Sequence, residues 1–110
     1  MEENLEIKII NNGIKKYEIN EEVFYEEMDG QGYFFVTSTD KIIVMNETSY
    51  FLWQIILESS ASFTELTIDE LINKVKQKFD VSKISIESLK KDVEQAIFHF
   101  EDEDFIRTVQ

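Results

Sequence analysis

The sequence has no cysteine and no proline, and it contains only one histidine and three glycines. Without cysteine the chain forms no disulfide and supplies no thiolate to a zinc or iron–sulfur site. No apolar run reaches the roughly 18 residues that a membrane-spanning helix requires. Residues 1–4 include two glutamates and lack the basic and apolar stretches that begin a secretory signal. We therefore expect a cytoplasmic protein that does not insert into a membrane.

Basic residues are also scarce, with 11 Lys and Arg against 23 Asp and Glu and a formal net charge of −12. Nucleic acids and anionic membrane surfaces are bound largely through lysine and arginine, so this balance predicts neither partner. An acidic surface either keeps a protein soluble or steers it towards a basic partner. The charge by itself does not distinguish these two explanations.

The 110 residues, of which 43% are hydrophobic, suffice for one folded domain, and the chain changes character near residue 46. Before that point, short apolar segments at 23–28, 33–37 and 41–45 are separated by tight polar turns, which predicts an antiparallel meander. In a meander that runs in order, segment 41–45 lies at an edge. Residues 1–20 contain a predicted turn at Asn11–Asn12–Gly13, and we expect a short strand or an extended arm there.

After residue 46 the pattern predicts three helices, with Asn46, Thr67 and Ser85 as their N-caps. The first helix is apolar on nearly every side, so we expect it to be buried with Trp53 in the core. A serine-rich link is predicted at residues 58–63. The stripe of the second helix is Ile68, Leu71, Ile72, Val75 and Phe79, and that of the third is Ile86, Leu89, Val93, Ala96, Ile97 and Phe100.

The acidic run at residues 101–104 opposes the helix dipole and should end the third helix, after which Phe105 and Ile106 close against the core. Three strands followed by three helices predict an α+β fold. In that fold an N-terminal three-stranded antiparallel sheet packs on a three-helix winged helix-turn-helix.

The sequence contains no recognisable motif that would bring together a nucleophile, a general base or a set of metal ligands, and this predicts a protein that is not an enzyme. The sequence has no phosphate-binding glycine loop, no nucleophile elbow and no paired metal-binding histidines. His99 stands alone and is expected to be structural. The run at 101–104 lacks the glycine-bearing loop of a calcium site, so we interpret it as a solvated charge cluster.

Two features could contact a partner. An edge strand at 41–45 is either merely tolerated or is a place where a peptide adds as a strand. Phe98 projects away from the apolar stripe of its helix. It is either an incidental surface residue, a side chain packed under the N-terminal arm, or a partner contact.

Three motifs carry a family resemblance: Gly-Tyr-Phe-Phe-Val at 32–36, Lys-Ile-Ile-Val-Met-Asn-Glu-Thr at 41–48 and Tyr-Phe-Leu-Trp at 50–53. Their order and spacing resemble the pyrroloquinoline quinone biosynthesis protein D (PqqD-like) family, with similarity over roughly residues 22–107. The sequence departs from the family at 58–62, where a pair such as Asp-Gly is usual, and residues 1–20 have no counterpart. The resemblance thus implies an arm at 1–20 and a PqqD-like recognition domain at 21–110.

Members of this family recognise the leader region of ribosomally synthesised precursor peptides that are later modified. The resemblance implies that the leader adds to the third strand of the meander and lies against the third helix. The strand positions are Lys41, Ile42, Ile43, Val44 and Met45. The helix candidates are Lys90, Val93, Glu94 and Ile97, with Phe98 as a further contact.

The resemblance also implies a modifying enzyme as partner, often a radical S-adenosylmethionine enzyme that brings its own cluster, so no cofactor is expected on this chain. The unpaired edge also permits strand exchange between two copies in a homodimer. Two alternatives stay open: a winged-helix DNA-binding domain and an acidic protein inhibitor or DNA mimic. The first would need an outward basic face, for which the sequence offers only Lys74, Lys76, Lys78, Lys90 and Lys91.

Overall fold

The computed structural model describes residues 5–11, 13–62 and 64–109, in which five strands precede the first helix. These strands are β1 (Glu6–Ile10), β2 (Ile14–Ile19), β3 (Val23–Met28), β4 (Gln31–Val36) and β5 (Lys41–Met45). They are followed by α1 (Glu47–Ala61), β6 (Leu66–Thr67), α2 (Ile68–Lys78), α3 (Ile86–Asp102) and β7 (Ile106–Thr108). The predicted α+β class, with a three-stranded antiparallel sheet and three helices, is confirmed.

The predicted meander is a three-stranded antiparallel sheet in the order β3-β4-β5. Its first hairpin turns through Asp29 and Gly30, both at positive φ, and its second turns through Asp40 at φ 54°. Aspartate and glycine tolerate this left-handed conformation better than most residues. The turn residues therefore fix the register that puts Phe34 and Val36 on the buried face.

A second sheet, which the sequence reasoning did not predict, has the order β6-β1-β2-β7. Within it β1 pairs with β2 antiparallel and with β6 in parallel, while β2 pairs with β7 antiparallel. The buried side chains of its first hairpin are Ile7, Ile9, Tyr17 and Ile19. The expected short strand or arm is therefore a two-stranded hairpin built into the core. Asn12, at the centre of the predicted turn, lies outside the described residues.

Helix α1 is the central element of the core, as predicted. Its N-cap Asn46 accepts a hydrogen bond from the backbone N–H of Ser49 at 2.9 Å. Trp53 is buried and makes edge-to-face contacts with Phe34 at 5.6 Å and with Phe105 at 5.6 Å between ring centroids. The aromatic cluster thus joins the inner face of the β3-β4-β5 sheet to the chain that follows α3.

The predicted serine-rich link at 58–63 is wrong over most of its length, because α1 continues to Ala61. Ser59 and Ser60 are buried, and the Ser60 hydroxyl donates to the Leu57 carbonyl at 2.8 Å. A serine that bonds back to the preceding turn satisfies its own hydroxyl and can remain in a helix. Residue 63 lies outside the described part of the chain.

The other two N-caps are confirmed, with Thr67 accepting from the Glu70 N–H at 3.0 Å and Ser85 accepting from the Ser88 N–H at 3.1 Å. The predicted stripe of α3 is buried except at Ile86, which is exposed. That expectation is wrong because the first turn of α3 extends past the core, and residues 82–88 are all exposed. None of the helices in the described ranges is long and apolar enough to cross a membrane.

Helix α3 ends at Asp102, within the acidic run, as predicted. Asp104 takes a left-handed φ of 65°, and the Phe105 N–H donates to the Phe100 carbonyl at 2.8 Å. The Arg107 guanidinium donates two hydrogen bonds to the Asp104 carboxylate, at 2.8 and 2.9 Å, and these lower the pKa of Asp104. This turn directs Phe105 into the core and starts β7.

Replacement of Gly32 by alanine is expected to destabilise the protein by about 1–3 kcal/mol, the usual cost of overpacking a core. A Cβ atom at this buried position would meet the Tyr50 ring and lie 2.7 Å from Phe34 Cε2. Both rings are held in the core and cannot move aside freely. Urea unfolding of Gly32→Ala against Gln31→Ala, an exposed neighbour on the same strand, measures the difference. Equal midpoints for the two variants would contradict this packing.

Candidate functional site

Strand β5 forms one edge of the three-stranded sheet, and no other strand within the described residues pairs with its outer side. In an antiparallel pair, alternate residues direct their N–H and C=O groups away from the neighbouring strand. The edge of β5 therefore offers backbone donors and acceptors to any strand that approaches it. Lys41, at the start of the strand, is its single charged residue.

The side chains of β5 alternate between the two faces of the sheet. Ile42 and Val44 point outward, with 74% and 51% of their surface exposed, whereas Met45 is buried. Ile42 lies opposite Phe35, which in turn lies opposite Phe24, and Val44 lies opposite Tyr33. The row that ends at Ile42 is thus apolar across all three strands, whereas the row that ends at Val44 begins with Glu26 opposite Tyr33 on β3.

A groove of about 340 Å³ lies where β5 passes into α1, and one flank of α3 forms its opposite wall. Six of the eight lining residues are polar, and Leu52 and Ala96 are apolar. The lining residues are Asn46, Thr48, Ser49 and Leu52 on one side and Asp92, Gln95, Ala96 and His99 on the other. The His99 Nε2 atom is 3.8 Å from a Glu103 carboxylate oxygen. None of the lining residues belongs to β5, but Asn46 directly follows that strand, so we refer to this feature as the β5–α3 groove.

The family model of coenzyme PQQ synthesis protein D (PqqD) matches residues 23–106, which extend from the start of β3 to the start of β7. The chain belongs to the PqqD family. The resemblance carried by the three sequence motifs is therefore confirmed. Hairpin β1–β2 lies outside the residues that the PqqD model matches.

The fold is also similar to a solved structure described as TbiB1 in complex with the TbiA(beta) leader peptide. The TM-score is 0.64 at 9% sequence identity, and the match covers 84% of this chain and 96% of the TbiB1 chain. At that identity the likeness concerns the fold. Comparison with curated proteins by sequence gives no match.

The residues predicted for peptide binding lie at the β5 edge, in the core, on the exposed surface of α3 and in a cavity beside hairpin β1–β2. Lys41, Ile42, Ile43, Val44 and Met45 make up the β5 edge strand. On α3, Val93 and Ile97 are buried in the core and Lys90 is exposed. Glu94 and Phe98 line a separate cavity on the side of hairpin β1–β2, and Ile97 also contributes to its lining.

The flank of α3 that lines the β5–α3 groove carries Asp92, Gln95 and His99, which the sequence reasoning did not select. Their spacing of three and four residues does place them on one side of a helix, so a signal was present. Spacing does not say which neighbour a flank faces. That depends on α1 and on hairpin β1–β2, which pack on different sides of α3.

No group of three or more histidine, aspartate or glutamate side chains in the described ranges could hold a metal ion. Within the acidic run, Asp104 is bound by Arg107 and Glu103 lies beside His99. Two of the four carboxylates therefore already have a basic side chain as neighbour.

Proposed function

We propose that this PqqD-family chain captures the leader region of a ribosomally synthesised precursor peptide by strand addition to β5. The observation that carries the proposal is the free β5 edge, which has an apolar sheet face on one side and the β5–α3 groove at its end. Family membership supports the proposal. It is also supported by the likeness to TbiB1, whose structure is described with a leader peptide.

In this mechanism the leader binds as an extended strand, and backbone hydrogen bonds to β5 supply much of the affinity. Side chains on one face of the added strand would lie beside the exposed Ile42 and Val44 side chains. Side chains on the other face would point towards α3, where Asp92, Gln95 and His99 give the groove its polar character. Recognition by strand addition generally divides affinity and selectivity in this way.

The chain performs no bond chemistry in this proposal. It raises the local concentration of the precursor near a modifying enzyme, which for this family includes radical S-adenosylmethionine enzymes that carry their own cluster. A leader that is disordered before binding loses conformational entropy when it becomes a strand. The affinity per unit of buried area is therefore expected to be modest.

An amide NMR titration with the leader region of a precursor encoded near this gene tests the proposal. We expect shift changes at residues 41–45 and at Asp92, Gln95 and His99, because these positions line the edge and the groove. A scrambled peptide of the same composition is the control. Dilution of the free protein shows whether two copies pair through β5, since such pairing would compete with the leader.

If every neighbouring leader leaves the spectrum of the folded protein unchanged, the proposal is wrong. Shifts confined to Glu94, Phe98 and their neighbours would also contradict it, because those residues lie on the other flank of α3.

A further inference from the structure

A second cavity, of about 310 Å³, lies between α3 and hairpin β1–β2. Its floor is apolar and is made by buried side chains that include Ile9, Tyr17 and Ile97. At one end the Asn11 side-chain amide donates to a Glu94 carboxylate oxygen at 2.8 Å, which ties the hairpin to the helix. We call this feature the hairpin pocket.

One stripe of α3 forms the rim of the hairpin pocket. Glu94, Phe98 and Glu101 are spaced by four and three residues, so they lie along one side of the helix. Phe98 is 68% exposed, so it does not pack under the hairpin, although it borders the pocket. An aromatic ring with a carboxylate on either side therefore faces the opening.

The charged side chains among the lining residues are two glutamates and one lysine, so their net charge is negative. Glu94 and Glu101 lie on the helix side, and Lys15 is the single basic side chain among the lining residues. The Glu101 carboxylate is close enough to Tyr17 to help raise the pKa of the tyrosine hydroxyl, after the larger effect of burial. An anionic ligand would be repelled by the two glutamates.

We propose that the hairpin pocket binds an arginine or lysine side chain from a basic segment of a protein partner. The aliphatic stem of such a side chain would cover the apolar floor. Its cationic end would lie against the Phe98 ring and within reach of the two carboxylates. The net charge of −12 attracts a basic segment over a longer range and so favours the encounter.

This site goes beyond leader capture, because it uses the flank of α3 opposite the β5–α3 groove. One of its walls is hairpin β1–β2, which lies outside the residues matched by the PqqD model. A basic partner held here would leave the β5 edge free. The two sites can therefore be occupied together and tested separately.

The test uses the full chain, labelled for amide NMR, and the peptide acetyl-Leu-Arg-Leu-Arg-Leu-amide as the probe. The control peptide replaces both arginines with citrulline, which keeps the planar shape and removes the charge. We expect the arginine peptide to shift residues 94–101 and 15–17. The citrulline peptide should bind at least several-fold more weakly, because it lacks the cation that Phe98 and the glutamates attract.

Phe98→Leu keeps an apolar side chain but removes the aromatic face, so we expect it to weaken binding of the arginine peptide about two- to fivefold. Glu101→Gln should also weaken it. Ile86→Ala is the matched control, because Ile86 is an exposed apolar residue at 55% in the first turn of the same helix and does not line the hairpin pocket. It is expected to leave the affinity unchanged, and the amide spectra verify that each variant is folded.

Equal binding of the arginine and citrulline peptides would overturn the proposal. So would shifts spread over the whole acidic surface that Phe98→Leu does not alter, since these would indicate general charge attraction. If acetyl-arginine amide binds as tightly as the peptide, the site accepts a small cation and the assignment to a protein segment is wrong.

Discussion

A leader peptide that is N-methylated at every second residue is expected to bind about 10- to 100-fold more weakly when the methyl groups fall on the nitrogens that face β5. An added strand directs alternate N–H groups towards its neighbour, and five residues of β5 can accept from two or three of them. Each lost bond costs about 0.5–1.5 kcal/mol, so two losses cost about 1–3 kcal/mol, and the expected change of about 10- to 100-fold lies within that range. Isothermal titration or fluorescence anisotropy measures the change.

The matched control is the same peptide with the methyl groups moved by one residue. Those nitrogens point away from β5, so this peptide should bind within a few-fold of the unmodified leader. Equal losses for the two peptides, or no loss for either, would show that the leader is not held as a strand on this edge. The comparison does not depend on any substitution in the protein, so a change in its folding cannot explain the result.

Removal of residues 1–20 is expected to unfold the protein, even though the PqqD model matches only residues 23–106. The deletion takes Ile7, Ile9, Tyr17 and Ile19 out of the core and removes the strand partners of β6 and β7. Four buried apolar side chains at about 1.5–3 kcal/mol each approach the whole stability of a typical domain. Far-ultraviolet circular dichroism during heating measures the loss.

Two single substitutions in hairpin β1–β2 measure its contribution to stability without removing it. Ile9→Ala removes a buried side chain and should cost about 2–5 kcal/mol, whereas Ile14→Ala alters an exposed one and should change stability little. A truncated chain that melts cooperatively near the temperature of the full chain would contradict the expectation. In that case the first twenty residues would be an appendage to a self-sufficient PqqD domain.

The helix starts could be predicted from the sequence because N-caps depend on local hydrogen bonds. Asn46, Thr67 and Ser85 each accept from an N–H three residues later, as their positions indicated. Predictions that relied on local composition were wrong where the tertiary structure buries polar residues. The serines near residue 60 suggested a link, but the core extends far enough to bury them in α1.

The second sheet was missed because its partners are far apart in the chain. Strand β1 pairs with residues 66–67 and β2 pairs with residues 106–108. The short alternation of apolar and polar residues in this hairpin does not predict which distant strands pair with it. For Ile86 the sequence pattern predicted burial, but the side chain is exposed. Its spacing places it on the apolar stripe of α3, but no element covers the first turn of that helix.

That no described strand pairs with the outer side of β5 was decided by the tertiary structure, whereas the sequence determined that β5 is the last strand of an antiparallel meander. It also determined that Asp92, Gln95 and His99 share one flank of α3 and that Glu94, Phe98 and Glu101 share another. The tertiary structure decided that the first flank faces Asn46 and the first turns of α1, which follow β5, and that the second faces hairpin β1–β2. Helical spacing sets which side chains lie together, but contacts between distant segments set what they face.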